Sequence, residues 1–124
     1  MFKATVFAAA VALATVGLPA SAAAAAEPAG PAGCPSGYFC VWSEPNFSGR
    51  VWMFRQPVND ANYADNGITQ VGSVFNNGIT CAGCEDVLVY ERPNYTGRST
   101  CVRRGTAVNP PIGGQVSSHR WTDC

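Results

Sequence analysis

The chain has 124 residues, eight basic and eight acidic side chains, and a formal net charge of zero. That length holds one domain, and a balanced charge with no basic stripe or acidic tail excludes the electrostatic footprints of nucleic-acid and polycation binders. A single histidine, His119, narrows the scope for acid–base chemistry.

Residues 1–26, MFKATVFAAAVALATVGLPASAAAAA, combine Lys3 in a short n-region, an apolar run to about Leu18 and a stretch of Pro and small residues. This is the build of a secretory signal peptide, too short and wrongly flanked for a membrane anchor. Ala20-Ser21-Ala22 is one A-x-A cleavage site, and the alanines up to Ala26 offer others. Residues 27–33, EPAGPAG, read as a flexible leader, and residues 34–124 as the domain. Signal removal takes the only lysine and leaves seven Arg against eight Asp and Glu, a net charge of 7 − 8 = −1. The mature protein is expected outside the cell, as a monomer that engages neither nucleic acid nor membrane.

All six cysteines, Cys34, Cys40, Cys81, Cys84, Cys101 and Cys124, follow the signal. An even count in an exported chain predicts three disulfides. A domain of this size is marginal on core burial alone, and each bridge adds about 2–4 kcal/mol. Cys34 and Cys40 form a local pair, because the intervening PSGYF contains Pro35 and Gly37 and can turn back. For the other four, the expected pairing is Cys84 with Cys101 across a hairpin and Cys81 with Cys124. Cys81-Ala-Gly-Cys84 has redox-motif spacing, but that chemistry needs a strand-to-helix context and an activated thiolate. A zinc site built from Cys81, Cys84, Cys101 and Cys124 fits by spacing but not an oxidising compartment.

From Tyr38 onward the apolar residues come in short runs: 38–42, 51–54, 71–75, 87–90, 99–102 and 115–121. Each is rich in β-branched or aromatic residues and bounded by Gly, Pro, Asn or Asp, the pattern of an antiparallel all-β fold. No 3.6-residue periodicity follows the signal, so at most a short helical turn is expected around Asn59 to Ala64.

One phrase occurs twice, WSEPNFSGR at 42–50 and YERPNYTGR at 90–98. At a constant offset of 48, Trp42 matches Tyr90, Phe47 matches Tyr95 and Gly49 matches Gly97. Such a repeat implies two copies of one supersecondary unit, motif one over about 38–78 and motif two over about 85–124, each with about four strands. The copies end near Ser73 and Ser118, which are 45 apart, so the second is shorter by three in its middle loop. The two aromatics of each phrase are five residues apart, an odd separation that puts them on opposite faces of a continuous strand. Packing them together therefore requires the chain to fold back at Pro45-Asn46 and Pro93-Asn94, with Gly49 and Gly97 allowing positive φ or close approach. The Asn46-Phe-Ser and Asn94-Tyr-Thr glycosylation patterns read as by-products of this hairpin.

An aromatic, four residues, an aromatic, one residue and Gly, followed some twenty residues later by Ser, resembles the Greek-key motif of the βγ-crystallins. The resemblance spans Tyr38 to Trp121 and implies a sandwich of two four-stranded antiparallel sheets, about eight strands in all, in which each motif lends a strand to the other. It also implies that Ser73 and Ser118 hydrogen-bond the folded hairpins. The chain is similar, more closely, to the secreted bacterial metalloproteinase-inhibitor family of that fold, through its signal peptide and the opening CPSGYFC at Cys34 to Cys40. Thr100-Cys101-Val102-Arg103 matches that family's reactive context, although Thr106 stands where the family type has a loop-closing Cys.

The resemblance implies a secreted peptidase inhibitor that is not an enzyme and holds a protease through a rigid, substrate-like loop at Cys101, Val102 and Arg103. Thr100 to Arg103 also reads as the second strand of the second hairpin, in the place that Trp52 to Phe54 takes in the first. A calcium-linked or structural crystallin module is the rival function, along with a small secreted toxin. The stretches that would hold calcium, Ile68 to Ser73 and Gly113 to Ser118, lack paired acidic or amide residues, so neither metal nor cofactor is expected. Ser118 and His119 are strand neighbours that point to opposite faces, which removes them as a nucleophile–base pair.

Overall fold

The doubled phrase forms two hairpins of one geometry in the computed structural model, which describes residue 31 and residues 33–124. The signal-peptide assignment and most of the leader lie outside the described residues. In the first hairpin β1 (Tyr38–Glu44) runs antiparallel to β2 (Ser48–Arg55). In the second, β4 (Asp86–Arg92) pairs with β5 (Thr96–Val102). Between these lies β3 (Ser73–Asn77), and β6 (Ala107–Val108) and β7 (Ser118–Thr122) complete the set.

Each turn reverses through two consecutive left-handed residues, Asn46 and Phe47 at φ 58° and 57°, and Asn94 and Tyr95 at φ 58° and 59°. An aromatic residue rarely adopts that conformation. Here a buried hydroxyl holds it. The Phe47 N–H donates to Ser73 Oγ at 2.9 Å while that hydroxyl donates to the Glu44 carbonyl at 2.8 Å. Tyr95 and Arg92 bond in the same way to Ser118, at 3.1 and 2.7 Å. The fold-back brings Trp42 onto Phe47 and Tyr90 onto Tyr95, both edge to face, with ring centroids 5.3 and 5.8 Å apart. Gly49 is required sterically, since a Cβ there would run into Ser43 Oγ.

Two antiparallel sheets result, in the orders β2-β1-β3-β6 and β5-β4-β7. β6 comes from the second motif and joins the first sheet. The reciprocal loan is a single bridge between Asp60 and His119. Hence seven strands form where about eight are expected, the last reduced to that bridge. The helical turn is a 3-10 turn at Tyr63–Asn66, capped by the Asn62 side chain accepting from the Ala64 N–H. Among the described residues no helix is long and apolar enough to cross a membrane.

Alternation on β1 and β4 sends Phe39, Val41, Val87 and Val89 between the sheets, where they meet Val74, Val102 and Trp121. Cys40, Trp42 and Phe75 form a second cluster with Cys34 packed against it. β1 is therefore buried on both faces, the outer one covered by the segment that the Cys34–Cys40 bridge pins down.

The other two disulfides correct the expected pairing: Cys81 joins Cys84, and Cys101 joins Cys124. Cys81 and Cys84 sit in one tight turn closed by the Cys84 N–H on the Cys81 carbonyl, with Cα atoms 5.1 Å apart, within bridging range of each other. Cys101 lies opposite Leu88 in mid-strand, and the tail after β7 crosses to it, held by the Cys124 N–H on Asp86.

Candidate functional site

Strand register places the two hairpin turns, with the β6–β7 connection, at one end of the sandwich, and the 78–85 and 103–106 connections at the other. There lie the start of β1, the ends of β2 and β3, the start of β4 and the ends of β5 and β7, since Tyr38 pairs with both Arg55 and Asn77, Val87 with Val102, and Asp86 with Thr122. Asn76, fully buried, ties the loops of this end together. Its Nδ2 donates to the carbonyls of Glu85 and Val102, both at 2.9 Å, and its Oδ1 accepts from the Gly78 N–H at 2.9 Å. Its own N–H and carbonyl bond to Thr106 and Gly105. Side chain and backbone together, this one residue fixes the 78–85 connection and the 103–106 turn relative to each other.

The segment proposed from sequence is divided by the fold. Val102 is 0% exposed and packed in the core, Cys101 is half-buried in its disulfide, and only Arg103 is exposed. Exposure continues through Arg104, Gly105 and Thr106. Thr106 closes this turn with hydrogen bonds, its N–H and Oγ1 both donating to the Arg103 carbonyl at 3.0 and 2.6 Å. Arg104 is held by its N–H on Asp86 and by Glu85, 3.9 Å from its Nε.

Asp123 anchors the neighbouring Cys81–Cys84 turn by accepting from the N–H groups of Gly83 and Glu85, at 2.9 and 3.4 Å. Beside it lies a groove of about 630 Å³ lined by Gly37, Tyr38, Gln56, Pro57, Ile79 and Cys81, among others. Ile79 projects at its rim, 56% exposed. The Gln56 amide brackets Ile79, Oε1 accepting from its N–H at 2.8 Å and Nε2 donating to its carbonyl at 3.0 Å. Gln56, Asn76 and Ile79 are absent from the sequence-derived candidates. The available signals are faint: amides inside the strand run SVFNN, and one aliphatic residue stranded between Gly78 and Thr80.

Other candidates are engaged elsewhere. Asp86 and the sulfurs of Cys101 and Cys124 lie within 4.8 Å of one another, but these sulfurs are bonded together and offer no thiolate. His119 is buried in an aromatic cage with Phe39, Phe54 and Tyr63, ring centroids 4.6–5.5 Å away. Burial lowers its pKa to about 4, against opposing contributions from the Val58 carbonyl and Asp60. The stretches weighed for calcium line a second groove, of about 580 Å³, with Asn62, Tyr63 and Pro93. Asp60 beside it accepts from the Asn62 N–H and Asn66 Nδ2.

Comparison with solved structures places the fold among the βγ-crystallins. A structure described under the evolution of the eye lens βγ-crystallin domain fold matches with TM-score 0.57 and 17% identity, over 73% of this chain and 91% of that one. A βγ-crystallin from Ciona intestinalis matches with TM-score 0.51 and 17% identity, over 68% and 99%. IPSE alpha-1, described as an IgE-binding crystallin, matches with TM-score 0.52 and 21% identity, over 72% and 85%. No curated protein matches. The model of peptidase inhibitor family I36 matches residues 27–102, from ahead of the first cysteine through both hairpins. The chain belongs to peptidase inhibitor family I36.

Proposed function

We propose that the protein is a secreted inhibitor of an extracellular metalloproteinase, and that it meets its target with the disulfide-bearing end. The observation that carries this reading is buried Asn76, whose side chain holds both ends of the 78–85 loop and the end of β5 while its backbone bonds the 103–106 turn. A loop already ordered in the free inhibitor loses little conformational entropy on binding. If its backbone is cut, ends held by disulfides and buried hydrogen bonds stay in place, which favours resealing over release.

The metalloproteinase class is supported by the resemblance around Thr100 to Arg103. With the Val102 side chain in the core, the part of that segment able to enter a cleft is Arg103 with Arg104 and Gly105. The oxidised mature domain, assayed against a panel of zinc and serine peptidases, is expected to inhibit a zinc peptidase at micromolar concentration or below. Inhibition confined to serine peptidases would overturn the class, and none at all would overturn the reading.

A further inference from the structure

We infer that Ile79 is the side chain this inhibitor inserts into the specificity pocket of its target, and that Gln56 is the positioning residue that presents it. The inference rests on the inhibitor reading and names the chemistry of the partner: a peptidase whose cleft accepts a branched aliphatic residue.

Among the described residues, Ile79 is one of three large apolar side chains exposed by about half, with Met53 and Val58. What distinguishes it is how its backbone is held. Gln56 bonds both its N–H and its carbonyl, as an adjacent strand would, which requires both groups to point the same way and the residue to be extended. The same Gln56 Nε2 lies 2.7 Å from the Cys84 carbonyl, so the clamp is fixed to the far side of the loop. Upstream, Gly78 sits where a Cβ would come within 2.9 Å of Asn76 Oδ1 and of the Trp121 ring, and its N–H is bonded to Asn76. Downstream, the Cys81–Cys84 bridge begins two residues on. A solvent-facing aliphatic side chain is thus carried on backbone tied at Gly78, at Ile79 itself and at the Cys81–Cys84 turn.

In an extended residue the flanking Gly78 carbonyl and Thr80 N–H point away from Gln56. Among the described residues neither has a hydrogen-bond partner in the chain. That free edge is what a protease cleft engages when it binds an extended peptide by strand addition. The segment combines a preformed backbone, an open pairing edge and one aliphatic anchor, the parts that a preorganised binding loop needs.

The test uses the oxidised mature domain and measures inhibition constants for three purified peptidases: a zinc and a serine enzyme that accept aliphatic residues, and a serine enzyme that accepts arginine. Inhibition is expected for an aliphatic-accepting enzyme only. Ile79→Asp is expected to weaken it by about 30-fold or more, with melting temperature unchanged, while Met53→Asp leaves it intact. Gln56→Ala is expected to leave inhibition initially but to let the enzyme cleave the chain between residues 78 and 80, read by mass spectrometry, which loss of a merely structural contact would not produce. Full inhibition by folded Ile79→Asp would overturn this inference and leave the inhibitor reading standing. No inhibition by the unsubstituted domain would overturn both.

Discussion

The Tyr63 hydroxyl donates to Nδ1 of His119 across 2.8 Å in the core between the sheets. Direction follows from the other ring nitrogen, because Nε2 faces the Val58 carbonyl at 3.0 Å and so must carry the proton. With the ring buried away from water, the folded protein favours this neutral imidazole.

That preference sets a pH dependence. Burial lowers the His119 pKa to about 4, whereas the unfolded chain titrates near the ordinary value of about 6.5. Below pH 6.5 the unfolded state takes up a proton that the folded state refuses. Stability is thus fully present above about pH 6.5, falls as pH drops towards 4, and loses about 3 kcal/mol over that window. Urea unfolding at pH 7, 5.5 and 4 reads this directly. His119→Gln is expected to flatten the profile in that window, and an unchanged slope in that variant would assign the dependence to other groups.

Ser73 and Ser118, themselves buried, each satisfy two partly buried backbone groups at the folded hairpins. Ser73→Ala and Ser118→Ala are each expected to cost about 1–3 kcal/mol, because a donor and an acceptor lose their partner together. The two losses are expected to add, since each serine serves a different hairpin. Denaturant midpoints of the singles and the double check both statements.

Asn76→Ala removes the partner of the Gly78 N–H and of the Glu85 and Val102 carbonyls at once. About 3–5 kcal/mol of destabilisation is expected. Hydrogen exchange gives a local signature, since the Gly78 amide is expected to lose protection before the hairpin strands do. Uniform loss across the domain would mean that Asn76 supports the core alone rather than the loops.

Proteolytic mapping of the oxidised protein is expected to recover Cys81 linked to Cys84 and Cys101 linked to Cys124. Replacing Cys101 and Cys124 together with serine opens a closure of 23 residues and is expected to cost about 3 kcal/mol. The short Cys81–Cys84 closure accounts for about 2 kcal/mol on the same chain-entropy basis. A Cys84–Cys101 peptide would contradict the pairing.

Legibility from sequence follows the range of the interactions. The hairpins could be read because Trp42 and Phe47, and Tyr90 and Tyr95, solve a local problem that one phrase states twice. β6 could not, because Ala107–Val108 is a two-residue strand with no periodicity of its own and exists only as an added edge beside β3. The pairing of the last four cysteines depended on the path of the tail across the second sheet, which no local spacing encodes. The Gln56–Ile79 clamp joins residues 23 apart through a side chain that in sequence is an ordinary loop glutamine. Val102 shows the converse limit: a motif match marked its identity, while strand alternation sent it inward.

The end organised by Asn76, and not the end bearing the folded hairpins, is expected to face the peptidase. Amide hydrogen exchange of the oxidised domain, free and saturated with an inhibited peptidase, locates the contact directly. New protection is expected at residues 78–85 and 103–106, with little change at 45–49 and 93–97. Protection confined to 45–49 and 93–97 would contradict that placement.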